Sequence, residues 1–241
     1  GRPYRLRLAH AWRVQNRALW YKYSAERYKI QTDLESRCVS APSVDVNRFL
    51  QASTLGDLRS DVNEVFLIHS TSPSNLQSVI FDGLNERHCT RGVFGYGTYM
   101  CDDAGKADQY STSAVSPESD ASLQELYDEA AATIAPGLFH IILCRVTMGF
   151  AIRTLDSDFS MDTGQPVWAF EHGDAAKREL NVIADVSPPL RYHSQVVEVT
   201  PKSPDSAAIP GRVYRYREMV LPHSERIYPE YIVAYTRESL D

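Results

Sequence analysis

The chain has only four cysteines in 241 residues, Cys38, Cys89, Cys101 and Cys144, and none forms a C-x-x-C pair. That excludes a disulfide scaffold and the paired ligands of a structural zinc site. No metal site is therefore expected, and a reduced intracellular setting, nuclear or cytoplasmic, is. No apolar run approaches the roughly 18 residues needed to cross a bilayer. Membrane contact is not expected. Gly1-Arg2-Pro3-Tyr4 lacks the apolar stretch of a signal peptide and reads as a cut point in a longer protein. Internal repeats are missing. So is a G-x-G-x-x-G turn after a strand: Gly92, Gly95 and Gly97 are spaced differently, and no long strand leads into them. A parallel dinucleotide-binding sheet is not indicated.

What is present is ordinary globular material, 43% hydrophobic and 23% charged, enough for one large domain with a sizeable core. The net charge of −6 is uneven. Eight basic residues in 1–30 (Arg2, Arg5, Arg7, Arg13, Arg17, Lys22, Arg27 and Lys29) face one acid, Glu26. This segment could touch an acidic partner or nucleic acid, although a solvated helix face is the blander reading. The rest of the chain is acidic, which excludes a general DNA binder.

Residues 10–30 read as a helix, with Trp12, Leu19, Tyr23 and Ile30 on one face. Glu64–His69 reads as a strand. A helix should follow, with Ser72 as N-cap, Pro73 at its first position, Leu76, Val79 and Ile80 inward, and Gly83 past its end. Residues 85–98 read as a glycine-containing loop and 98–101 as a short strand. Asp102 or Asp103 should cap a helix reaching about Tyr110, and 113–122 form a Ser-rich excursion. Another helix is expected over 123–134. The strongest strand signal covers 138–148, closed by Gly149; residues 150–190 read as mostly irregular. Further strands are expected at 194–200, 213–221 and 226–236, the last two as a hairpin around Pro222-His223-Ser224. Early helices and late strands give an α+β domain.

Three segments carry candidate chemistry: Leu67-Ile68-His69-Ser70-Thr71; Gly95-Tyr96-Gly97-Thr98-Tyr99-Met100 with Gly105-Lys106-Ala107-Asp108-Gln109-Tyr110; and Tyr216-Arg217-Glu218-Met219-Val220 leading to Tyr228-Pro229-Glu230-Tyr231. Singly each has a bland reading: a hydrogen-bonded strand-end histidine, core tyrosines, an exposed strand glutamate. Together, in this order, they resemble the poly(ADP-ribose) polymerase family, ADP-ribosyltransferases with a His-Tyr-Glu triad. Arg13-Val14-Gln15-Asn16 with Leu19-Trp20 and Tyr23 resembles the opening helix of branches without an attached helical regulatory subdomain. The resemblance spans nearly the whole chain, and the block from Phe94 to Tyr110 is specific.

The resemblance implies an ADP-ribosyltransferase fold, two antiparallel sheets around an NAD⁺ cleft with flanking helices. It implies one catalytic domain over 1–241, with 1–60 as a helical extension packed on a 61–241 core. NAD⁺ would be a consumed substrate rather than a resident cofactor, with no metal and with protein acceptors. His69, Tyr99 and Glu218 would be the triad. His69 would bind adenosine-ribose hydroxyls, the Ser70 backbone the carboxamide, and Thr71 a ribose hydroxyl. Tyr99 and Tyr110 would sandwich the cationic nicotinamide ring, each contact worth about 0.5–2 kcal/mol. Lys106 and Ala107 would line the same site. Glu230 is the competing glutamate; counting back along the family pattern favours Glu218.

Two positions depart from that pattern. Ser70 stands where Gly is usual, which is tolerable if its φ is ordinary. Ala107 stands where a Ser hydroxyl often holds the amide, a loss of about 0.5–1.5 kcal/mol. Open alternatives are single rather than repeated addition, NAD⁺ hydrolysis, and a non-catalytic binding module. Polymer formation is slightly favoured, through a Glu218 that can polarise an acceptor hydroxyl.

Overall fold

The computed structural model describes residues 4–50, 56–85, 91–113, 123–124, 127–128, 137–155, 159–162, 167–173, 178–199 and 216–240. The start of the expected 213–221 strand, most of the Ser-rich excursion and most of the 123–134 helix lie outside them; Leu123, Gln124, Tyr127 and Asp128 are helical.

Among the described residues two four-stranded sheets carry the fold. The first takes β1 (Tyr4–Arg13), β8 (Ile227–Ser239), β4 (Phe139–Thr147) and β2 (Glu64–His69), in that order and antiparallel throughout. The second takes β3 (Thr98–Met100), β7 (Glu218–Leu221), β6 (Ser194–Val197) and β5 (Ala151–Thr154). In it β5 and β6 run parallel and the other neighbours antiparallel. A cluster including Leu67, Ile142, Val146, Val196, Met219, Leu221 and Ile232 draws on both sheets.

The expected helix over 10–30 is displaced. Residues 4–13 form a strand, and the helix α1 covers Arg17–Ser36. Asn16 decides the boundary: its extended backbone ends the strand segment and its side chain accepts a hydrogen bond from Leu19 N, 3.0 Å away. Trp12 therefore belongs to β1, not to the helical face. Leu19, Tyr23, Ile30 and Leu34 are the buried positions of α1. Burying an aliphatic side chain such as Ile30 contributes about 1.5–3 kcal/mol. The N-terminal segment is thus part of the sheet and only partly helical.

β2 and β4 fall where the sequence pattern puts them. Pro73 opens a 3₁₀ turn, Pro73–Asn75, which runs into α2 (Leu76–Asp82), with Leu76 and Val79 buried and Gly83 at φ +83°. Ser72 precedes the turn but makes no capping hydrogen bond. β5 was not expected within the irregular stretch.

The anticipated hairpin is not formed. Leu221 of β7 pairs with Thr98 in the second sheet, whereas Ile227 of β8 pairs with Val146 in the first. The connection is a 3₁₀ turn, Ser224–Arg226, whose Arg226 is buried. Its guanidinium donates to the His193 carbonyl and to Glu26 Oε1. That anchor between α1 and the entry to β6 turns the chain from one sheet to the other. Glu218 is the first residue of β7, where it pairs with Val197 of β6.

Candidate functional site

The sheets meet where the end of β2 touches β3. Ile68 and Cys101 exchange both backbone hydrogen bonds, at 2.8 and 3.0 Å. This bridge sets His69 beside Tyr99. His69 Nδ1 lies 2.9 Å from the Tyr99 carbonyl. A carbonyl only accepts, so Nδ1 carries the proton and Nε2 keeps a lone pair. Burial lowers the imidazole pKa below its ordinary value, opposed by that hydrogen bond. His69 is thus a neutral acceptor at neutral pH, suited to a hydroxyl.

Tyr99 is fastened through its phenol, which accepts from Phe94 N at 2.8 Å and donates to the Gly95 carbonyl at 2.9 Å. Its ring packs near-parallel to Phe94, with centroids 6.4 Å apart. Gly97, just before β3, has φ +154°, and a Cβ there would stand 2.7 Å from the Leu221 carbonyl oxygen. Only glycine lets β3 approach β7 this closely.

The short helix α3 (Ala104–Asp108) supplies the opposite wall. Asp103 is its N-cap, accepting from Gly105 N at 2.7 Å. Lys106 reaches across to β7, donating to Glu218 Oε1 at 3.0 Å and to Tyr110 Oη at 3.3 Å. Burial alone would lower the ammonium pKa, but its hydrogen bond and attraction to Glu218 leave it raised. Tyr110 is 63% exposed, so one face of its ring is open to a ligand.

Ser70 keeps an ordinary φ; the non-glycine residues at positive φ are Cys38, Asn63 and Asp185 among the described residues. Its hydroxyl donates to the Ala107 carbonyl at 2.7 Å and contacts Ser111 Oγ at 2.8 Å. The serine at 70 is therefore accommodated without backbone strain and ties β2 to α3.

These groups surround one cavity of about 460 Å³, within the usual range for small-molecule sites, about 300–1,000 Å³. Its lining includes His69, Ser70, Tyr99, Lys106, Ala107, Tyr110 and Glu218. Seven of the eight residues expected from the sequence thus share one space. Thr71 is not among them; its hydroxyl accepts from Asn75 Nδ2 at 3.1 Å. Ile68, Gly92, Phe94, Met100 and Cys101 also line the cavity; all but Gly92 lie within the recognised segments, but no site role was expected of them. Burial pushes the Cys101 thiol up to about 12, so it is no thiolate nucleophile.

Residues 1–237 match the family model described as Poly(ADP-ribose) polymerase catalytic domain. The chain belongs to this family. Its two-sheet α+β architecture is accordingly the ADP-ribosyltransferase fold, and ADP-ribosyl transfer from NAD⁺ is the family's general activity. A comparison with curated proteins gives no match.

Within a poly(ADP-ribose) polymerase domain the two glutamates now separate. Glu230 is 1% exposed and holds Arg145 through Nε at 2.6 Å and a second nitrogen at 3.3 Å. Arg145 also reaches Glu64 and the Asp57 carbonyl. Glu230 is a buried structural partner and Glu218 lines the cavity. The N-terminal cations are largely engaged by the domain itself: Arg5 and Arg7 by Glu238, Arg13 by Glu230, Arg27 by Glu64, and Lys29 by Glu26. Among the described residues no helix is long and apolar enough to cross a membrane.

Proposed function

We propose that this chain cleaves NAD⁺ at the bond between nicotinamide and ribose and passes ADP-ribose to a protein acceptor. Nicotinamide leaves as a neutral amine from a cationic ring. The acceptor oxygen takes its place on the ribose carbon, and the acceptor's proton is released. The whole chain acts as one catalytic domain in this reading, in an intracellular setting.

The observation that carries the proposal is the convergence of His69, Tyr99 and Glu218 on one cavity. Tyr99 and the open face of Tyr110 suit a cationic aromatic ring. The Ser70 backbone would hold the carboxamide. His69 Nε2 would accept from an adenosine-ribose hydroxyl. Glu218 would accept from the nicotinamide-ribose 2′-hydroxyl and stabilise the oxocarbenium-like centre, as carboxylates do in glycoside cleavage. One charge about 4 Å away, at an effective dielectric near 20, contributes roughly 4 kcal/mol. That is about a thousandfold in rate.

The same carboxylate could polarise the hydroxyl of an ADP-ribose already attached, which favours elongation. Incubation with labelled NAD⁺, followed by gel electrophoresis, tests the reading. A smear supports repeated addition and a sharp band a single addition. Free ADP-ribose without labelled protein would make the chain a glycohydrolase, and no label anywhere would refute transfer.

A further inference from the structure

Asp108 ends α3 and is 1% exposed, an unusual place for a carboxylate. It is met by three donors. Tyr4 Oη lies 2.6 Å from Oδ2; Tyr235 Oη and Arg237 Nε lie 2.7 and 2.9 Å from Oδ1. A second Arg237 nitrogen donates to the Asp108 carbonyl at 2.9 Å. Burial would raise the carboxyl pKa, but these donors more than offset it and leave it lowered. Tyr4 is the first residue of β1, and Tyr235 and Arg237 belong to β8.

A helix of five residues has little stability of its own. Its placement comes from what holds it. Ser70 grips one side through the Ala107 carbonyl, and Asp108 grips the other through the first sheet. Lys106, two residues before Asp108, extends from the same turn to Glu218 on the second sheet. α3 is thus a strut between the sheets, and the Lys106–Glu218 contact is its far end.

We infer that Asp108 is a positioning residue for the cleft: by anchoring α3 to β1 and β8, it fixes Lys106 against Glu218, so that the N-terminal strand sets the geometry of the reacting site. This inference rests on the NAD⁺ chemistry proposed above.

Tyr4→Phe is the mildest test, because Tyr4 is 46% exposed and the change removes one hydroxyl of a residue outside the cavity lining. NAD⁺ turnover should fall about fivefold, the loss of one charge-assisted hydrogen bond. In a Lys106→Met background the same change should cost nothing further, since its effect passes through Lys106. Losses that multiply in the double variant would overturn the inference. Hydrogen exchange gives a readout that needs no turnover: amides of 105–111 should exchange about tenfold faster in Tyr4→Phe and in Asp108→Asn, with β4 unchanged. Unchanged exchange across α3 would also overturn it. A wild-type chain inert toward NAD⁺ would refute the NAD⁺ reading and the role built on it, while the exchange result would separately report whether the anchor exists.

Discussion

Gly92 shows how tightly single positions are set around the cleft. Its φ is unremarkable, but a Cβ there would fall 2.4 Å from the Tyr99 ring carbon and hydroxyl. Ring and loop must separate if any side chain is added. Gly92→Ala should displace Tyr99 and raise the KM for NAD⁺ about tenfold or more, with the melting temperature nearly unchanged. A normal KM, measured by nicotinamide release, would argue that Tyr99 does not hold the ring. At this scale the site was readable from the order of three short segments that together resemble one family, whereas the imidazole, the tyrosines and the carboxylate each have a bland reading alone; that Glu218 opens its strand was not legible. Thr71 stands outside the cavity lining because the two residues that follow His69 diverge. The Ser70 hydroxyl turns toward α3 and the Thr71 hydroxyl toward Asn75. Sequence spacing does not encode that divergence.

Elements were readable where periodicity and burial agree. β2 and β4 are nearly continuous apolar runs and lie where expected. β1 escaped notice because it is an exposed edge strand whose register shifts between Leu8 and His10. Tyr4, Leu6 and Leu8 do alternate with Arg5 and Arg7, but the shift after Leu8 interrupts the pattern before it is long enough to mark a strand through Arg13. The false hairpin came from a turn-like Pro222-His223-Ser224, when the deciding feature, buried Arg226, acts through distant partners. Asn16 joins elements in a way that can be tested. Its Oδ1 caps α1 at Leu19 N, while its Nδ2 donates to the Ile80 and Phe81 carbonyls at the end of α2. Asn16→Ala should cost about 1–2 kcal/mol, an N-cap loss enlarged by two orphaned carbonyls. Urea unfolding would show this as a lower midpoint with an unchanged slope; an unchanged midpoint would discount the double cap.

Across the whole molecule, fold class was legible from the order of helical and strand patterns, but the division of strands between two sheets was not, since it depends on long-range pairing. Buried ionisable groups also act at this scale. His140 and His193 are held neutral, their pKa values lowered by burial to about 4 and about 3. The unfolded chain protonates them first as pH falls below 6.5, their ordinary value. Their contribution is therefore complete above about pH 6.5 and lost progressively as pH falls toward 3, a loss on the order of several kcal/mol. Chemical unfolding at pH 7.5, 6 and 4.5 should give steadily falling midpoints; a flat series would mean that these histidines are not buried as described. Fold and cleft come together in Glu218, the one carboxylate assigned to bond cleavage rather than to holding the substrate. Calorimetric NAD⁺ binding and nicotinamide release should be compared for the wild type and Glu218→Gln. Binding should stay within a few-fold while release falls about a thousandfold. Release at the wild-type rate would contradict the account.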